Sequence, residues 1–177
     1  MTVTRIGADE FDHLLATFER SAFRMEMRDA YALDFEQEEF GRFLTGTPTP
    51  PSEVDWWRQW LDQIARLTGE GKTVSRVRVL AEPPSDYQRW MIWAAPWYAE
   101  AGEQIAYMTQ RKAYSLGLPE GDWWLFDDER VIIIGFDDQD HIEVMTLITA
   151  PELITLYLKW RDLAVRNATT AERFAAA

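Results

Sequence analysis

Apolar positions recur along this chain with two periods, and each change of period marks an element. Phe11, Leu14, Leu15 and Phe18 fall on one face of a helix over residues 8–20. Residues 21–32 then alternate, with Phe23, Met25 and Met27 on one side and Arg24, Glu26 and Arg28 on the other, the pattern of a strand. The helical period returns over 35–44 and stops at Gly46 and a loop holding Pro48, Pro50 and Pro51. Ser52 and Asp55 are N-cap types for the next helix. Its stripe of Trp57, Trp60, Ile64 and Leu67 runs to the Gly69-Glu70-Gly71 stop.

Residues 74–80 form a second alternating run, Val77 and Val79 against Arg76 and Arg78, closed by Pro83-Pro84. Ser85 and Asp86 offer caps for a helix to about residue 101, with Trp90, Trp93 and Trp97 on one face. Pro96 inside that pattern predicts a kink or break near Ala95. Another strand follows over 103–109, a crossover's length after the first, so the unit is βαβ with two parallel strands. A helical turn over 113–116, strands over 123–126, 131–136 and 142–148, and a last helix opened by Pro151 complete the pattern. The predicted fold is α/β (or α+β): a mixed sheet of five or six strands with a βαβ unit, antiparallel C-terminal strands and flanking helices. One domain is expected over 1–177. Residues 1–73 make a helical part with one strand, 74–167 the α/β core and 168–177 a tail.

Composition narrows the function classes. The 177 residues suit one domain of ordinary size. There is neither an 18-residue apolar run nor a basic-then-apolar start, so no membrane span or signal peptide is expected. The chain has no cysteine, which excludes disulfides, thiolate zinc sites and cysteine nucleophiles and fits a cytoplasmic protein. Acids outnumber bases 30 to 18 for a net charge of −12, and no basic run exceeds Arg111-Lys112. Direct binding to nucleic acid or to an anionic membrane is disfavoured on that charge. The nine tryptophans fill a core and sheet face, or they wall a pocket or partner surface.

Candidate chemistry is sparse. Asp127, Asp128 and Glu129 fill one turn and Asp137, Asp138 and Asp140 another, and acidic turns are ordinarily solvated. A calcium loop from Asp137 would place Gln139 and His141 at alternate positions with no glycine, so that motif fails. With two histidines, His13 and His141, and no cysteine, a zinc site lacks ligands. None of Ser21, Ser52, Ser75, Ser85 or Ser115 sits in a Gly-x-Ser-x-Gly elbow, and no glycine-rich phosphate loop is present. No catalytic residue, cofactor or metal is therefore assigned. Arg76 and Arg78 share one strand face, about 7 Å apart. They pair with surface acids or, if the strand is central and covered, they are structural or ligand-binding.

The segments Arg76-Val77-Arg78-Val79-Leu80, Glu82-Pro83, Ser85-Asp86-Tyr87, Arg89-Trp90, Ala101-Gly102-Glu103 and Asp122-Trp123-Trp124-Leu125-Phe126-Asp127-Asp128 carry a family resemblance. So does the stretch from Phe18 to Glu26. The chain resembles an uncharacterised actinobacterial family, the domain of unknown function numbered 6879. That resemblance implies no activity. It implies a regulatory or sensory role by association, since members neighbour helix-turn-helix regulators. The hairpin over 121–136 also resembles the phospholipase D-like fold, whose signature is His-x-Lys-x4-Asp followed by a strand ending in Gly. Asp128 and Gly135 match it, and Glu143 falls where a Glu of the next strand is common, but Gly121 and Trp123 replace His and Lys. The resemblance implies a catalytically dead version, because that chemistry needs an imidazole nucleophile and an ammonium for the transition state.

The leading expectation is a non-enzymatic regulatory or sensory binding module, recognising a small ligand or a partner protein such as a helix-turn-helix regulator. Arg76, Arg78 and Arg89 would take anionic groups, Trp90 and Trp123 would stack, Tyr87 joins them, and Asp128 fixes the turn. The rival is a hydrolase or transferase of phospholipase D-like ancestry with Asp127, Asp128 or Glu143 as base and a divalent metal. A homodimer built on exposed tryptophans is the third reading.

Overall fold

The computed structural model describes residues 3–170. In chain order these form β1 (Val3–Ile6), α1 (Ala8–Thr17), β2 (Ser21–Glu26), α2 (Gln37–Leu44), α3 (Asp55–Gly69), β3 (Thr73–Leu80), α4 (Asp86–Glu100), β4 (Gln104–Thr109), α5 (Gln110–Ser115), β5 (Asp122–Phe126), β6 (Arg130–Phe136), β7 (Ile142–Ile148), α6 (Pro151–Asn167) and β8 (Thr169–Thr170). The strands make one sheet in the order β1-β7-β6-β5-β2-β3-β4-β8. β3 pairs in parallel with β2 and β4, and all other pairings are antiparallel.

The mixed α/β architecture and the βαβ unit are as the patterns predict. The sheet has eight strands among the described residues, two more than the upper expectation. The two additional strands, β1 and β8, are short edges. The predicted tail falls partly on β8, and its residues 171–177 lie outside the described residues. No helix among the described residues is long and apolar enough to cross a membrane.

Both faces of the sheet are covered, and strand parity divides the core. Phe23 and Met25 of β2, Val77 and Val79 of β3, Trp123 and Leu125 of β5 and Val131 of β6 point to one face, under Ile154, Tyr157 and Ala164 of α6. Ala22, Val74, Trp124, Phe126, Ile132 and Ile134 point to the other, against Leu14 and Leu15 of α1, Trp57, Leu61, Ile64 and Leu67 of α3 and Trp90, Met91 and Ala94 of α4. Trp57 is fully buried and its Nε1 donates to Tyr98 Oη at 2.7 Å, so the largest side chain of that layer leaves no unpaired N–H.

Three local expectations need correction. The strand predicted over 21–32 ends at Glu26, because Asp122 Oδ1 takes the Met27 N–H at 2.8 Å in place of a ladder partner. Ser52 and Asp55 do not cap α3. Ser52 lies in a 3-10 turn, Pro51–Glu53, Val54 holds the cap position without a side-chain bond, and Asp55 pairs with Arg58. Of the kink or break expected near Ala95, the break is absent, since α4 runs through Pro96. Ser85 is the predicted cap of that helix, in a reciprocal capping box with Gln88.

The Asp127-Asp128 turn between β5 and β6 is a fixed part of the fold. Both residues have positive φ, +55° and +64°, a conformation that Asp tolerates better than most side chains. Asp127 is 2% exposed, not the solvated turn acid expected from sequence. Its carboxylate accepts from the backbone N–H groups of Glu19, Arg20 and Ser21 and pairs with Arg130 at 2.9 Å. Burial raises its pKa, but those N–H groups and Arg130 lower it further, below the ordinary carboxylate range. Asp127→Ala orphans three backbone donors where β2 begins, and a loss of about 2 kcal/mol in urea unfolding is expected. Gly135, the penultimate residue of β6, is explained by packing: a Cβ there would meet Val144 Cγ1 at 2.6 Å.

Candidate functional site

The alternation that buries apolar residues of β2 and β3 toward α6 sends Arg24, Glu26, Arg76 and Arg78 to the opposite face. In the parallel register Arg24 stands beside Arg76 and Glu26 beside Arg78. That face is covered by helices, so the charges are inside the molecule. Glu26 lies at the centre, with one oxygen 3.1 Å from both Arg24 Nη1 and Arg76 Nη1 and the other 2.5 Å from Arg78 Nε. Arg76 Nε also reaches Glu103 at 2.5 Å, and Arg24 Nη2 lies 3.8 Å from Asp122. The expectation that Arg76 and Arg78 pair with surface acids is corrected: their partners are the buried Glu26 and Glu103.

Electrostatics follow from this arrangement. Burial alone would raise the Glu26 pKa, but Arg24, Arg78 and Arg76 hold it well below the usual range. Burial lowers and the carboxylates raise the pKa of Arg76 and Arg78, with a net rise for both. The guanidinium carbon of Arg24 lies 5.5 Å from the Tyr31 ring centroid and 5.4 Å from Trp124, and that of Arg76 5.2 Å from Tyr98. Tyr31 in turn donates to Asp122, whose pKa burial raises.

Above the cluster lies a cavity of about 410 Å³. Arg24, Glu26, Arg76 and Arg78 form its polar floor, and aromatic side chains including Phe11, Tyr31, Trp56, Trp60 and Trp124 line its walls. Trp56 stacks on buried Trp57 with centroids 4.9 Å apart and meets exposed Phe35 edge-on at 5.0 Å. Three polar groups of the lining are incompletely used, the first being Arg24, whose buried Nε has no partner among the described residues. Arg78 is 5% exposed, and beyond its Nε bond the terminal Nη1 and Nη2 have no partner among the described residues. Glu36 also lines the cavity; one carboxyl oxygen accepts from Tyr87 Oη at 2.7 Å and the other has no partner among the described residues. Burial pushes the Glu36 pKa up to about 7, against the lowering effect of the Tyr87 bond and of Arg24.

The structure gathers part of the sequence-derived set and scatters the rest. Arg76, Arg78 and Tyr87 line the cavity, and Trp90 is buried beneath it against Tyr87 and Trp57. Arg89 is exposed and paired with Asp86 on α4. Trp123 faces the other side of the sheet, buried between Phe23 and Tyr157. Asp128 is exposed and pairs with Arg161 of α6. Arg24, Glu26, Glu36, Trp56 and Trp124 belong to the site and escaped the sequence reading. The available signal was register: strand residues of opposite charge at alternate positions, on a face that a βαβ crossover must cover.

The carboxylates of the rival reading do not converge. Asp127 is committed to backbone N–H groups, Asp128 to Arg161, and Glu143 is exposed on β7. Among the described residues, no three His, Asp or Glu side chains come together as metal ligands. Both histidines are exposed, His13 on α1 and His141 beside Asp137 in the β6–β7 loop, and neither stands at position 121 where the phospholipase D-like signature would need one.

Comparison with known proteins gives a family and a fold. A family model described as "Domain of unknown function (DUF6879)" matches residues 9–176. No curated protein matches the sequence significantly. Among solved structures, the chain is similar to Nuc from Salmonella typhimurium, a phospholipase D family member, at 15% identity and a TM-score of 0.51, covering 96% of this chain and 97% of that one. NucT from Helicobacter pylori is similar at 8% identity and a TM-score of 0.51, with the same coverage. The chain is also similar to TrmBL2, an archaeal chromatin protein whose structure shows a mode of DNA binding, at 8% identity and a TM-score of 0.54, covering 96% of this chain and 54% of that one. It thus spans about half the length of TrmBL2. These likenesses establish a phospholipase D-like fold.

Proposed function

This chain belongs to the DUF6879 family, and we propose that it works as a binding module, holding a small planar ligand in the cavity over the Arg24–Glu26–Arg76–Arg78 floor. One observation carries this reading. Arg78 is a buried cation, saturated by Glu26 on one side only, whose terminal fork faces an aromatic-walled space of ligand size. These terminal nitrogens keep contact with solvent, and a ligand acceptor would take the place of water on them.

Regulation is the finer part of the proposal. Phe35 and Trp56 stand at the cavity wall, and Phe35 is exposed. A partner protein such as a helix-turn-helix regulator would read the ligand through this region.

The hydrolase reading rests on the fold likeness. Against it, Gly121 and Trp123 stand where that chemistry needs imidazole and ammonium, and the Trp123 side chain is buried on the sheet face away from the cavity.

A thermal-shift screen of small planar metabolites tests the proposal. A ligand at 100 times its dissociation constant adds roughly 2.7 kcal/mol. Trp56→Ala and Arg78→Lys should abolish the shift, while Arg89→Ala and Asp128→Ala retain it. A ligand whose shift survives both cavity substitutions, or a screen without any stabilising compound, would sink the reading.

A further inference from the structure

We infer that the cavity selects an uncharged heterocycle with a lactam edge, a ring C=O beside a ring N–H as in guanine, hypoxanthine or uracil, with the C=O on Arg78 and the N–H on Glu36. The inference rests on the binding-module reading and adds the ligand's class.

Charge argues first. Arg24, Arg76 and Arg78 are matched by Glu26, Glu103 and Asp122, so the floor sums to zero. Asp12 stands on the wall, and the whole chain carries −12. An anion entering this cavity meets no net positive field and a repulsive molecule around it. Arginines that read from sequence as an anion site are therefore better suited to a neutral acceptor.

The free polar atoms argue next. Arg78 offers the two N–H-bearing nitrogens of a planar fork, a geometry that matches a carbonyl oxygen or a carbonyl with an adjacent ring nitrogen. Above about pH 7, where Glu36 is ionised, it offers one carboxyl oxygen as acceptor while Tyr87 holds the other. A ligand must present an acceptor and a donor to satisfy both. A plain aromatic hydrocarbon leaves both unpaired, and an aromatic acid sets a second carboxylate against Glu36. The walls supply the rest, since Trp56, Trp124 and Tyr31 are faces for a flat ring.

The test is calorimetric titration of the whole chain at about pH 8, where Glu36 is ionised, with tryptophan fluorescence as a second readout. The probes are guanosine, adenosine, guanosine 5′-monophosphate and indole-3-acetate. Guanosine should bind saturably and roughly tenfold or more tighter than adenosine, which has no ring carbonyl for the Arg78 fork and presents its donor (the 6-amino group) and acceptor (N1) in the opposite order. The monophosphate should bind no tighter than guanosine. Arg78→Lys keeps the charge beside Glu26 but loses the fork, and Trp56→Ala leaves the charge cluster intact; each should weaken guanosine roughly tenfold or more while cooperative unfolding is retained. Adenosine binding as tightly as guanosine, or the monophosphate binding more tightly, overturns the inference. Indole-3-acetate binding in preference to guanosine, and losing affinity in Arg78→Lys, overturns the lactam assignment but leaves the binding module standing. Absence of binding by all four probes overturns the lactam assignment, and the broader metabolite screen then decides the binding module separately.

Discussion

Glu26→Gln should unfold the protein or lower its stability by about 4 kcal/mol, the largest effect expected of any single substitution in the cavity. Three guanidiniums share this carboxylate, and the residue is 2% exposed. Removing one partner of a buried ion pair costs about 3–5 kcal/mol, because the remaining charge is left without compensation. Asp122 and Glu103 retain Arg24 and Arg76, so the uncompensated charge falls on Arg78. Domains of this size have stabilities of about 5–15 kcal/mol, so the variant keeps a small margin or none. A melting temperature lower by roughly 8–16 °C is the expected reading where the fold persists. The double variant Glu26→Leu/Arg78→Leu removes one charge of each sign. It should recover most of the loss, since apolar replacement of a buried pair is often neutral or stabilising. A single variant with the wild-type urea midpoint would refute this account of the cluster.

That cluster also shows where sequence is readable and where it is not. All six predicted strands exist, because each carries its own alternating or apolar run. β1 and β8 were invisible: four and two residues long, they are ordered by pairing with β7 and β4 and not by their own pattern. Arg76, Arg78 and Tyr87 were legible as site candidates. For Arg24 and Glu26 the pattern gives only the side of the strand opposite Phe23 and Met25, because alternation identifies two faces without saying whether both are covered. β2 lies fifth in an eight-stranded sheet with helices on both sides, and only that topology turns its charges inward. Trp123 and Trp124 differ by parity alone, which sends Trp123 to the α6 side and Trp124 to the cavity. Glu36 falls within the helical period read over 35–44, but it lies in a 3-10 turn, Asp34–Glu36, ahead of α2, and its burial comes from the docking of that turn beside Tyr87.

Glu36 makes the stability of the molecule fall as pH rises through neutrality. Its folded pKa of about 7 exceeds the ordinary 4.5, so the folded state holds the proton more tightly than the unfolded chain does. Its contribution is therefore full below about pH 4.5 and lost as pH rises through about 7. At about 1.4 kcal/mol per tenfold difference in proton affinity, the loss is about 3 kcal/mol. The groups that act on Glu36 are Tyr87 of α4, Arg24 and Glu26 of β2 and Arg78 of β3. Arg24, Glu26 and Arg78 keep their charge across this window; Asp122, whose pKa burial also raises, acts in the same direction as Glu36. Asp127 acts in the opposite direction at lower pH: its pKa is depressed, so its stabilisation is present above the ordinary carboxylate range and lost in acid. The expected profile rises from pH 8 toward about pH 5 and falls again below it. Easing of the repulsion within a chain of net charge −12 adds to the same rise, and Glu36→Gln separates the Glu36 contribution from the others. The variant keeps the side-chain shape and nearly the same net charge but cannot titrate. Its urea-unfolding free energy should change by about 3 kcal/mol less than that of the wild type between pH 5 and pH 8. Parallel profiles for the two proteins would show that Glu36 is ionised in the fold throughout.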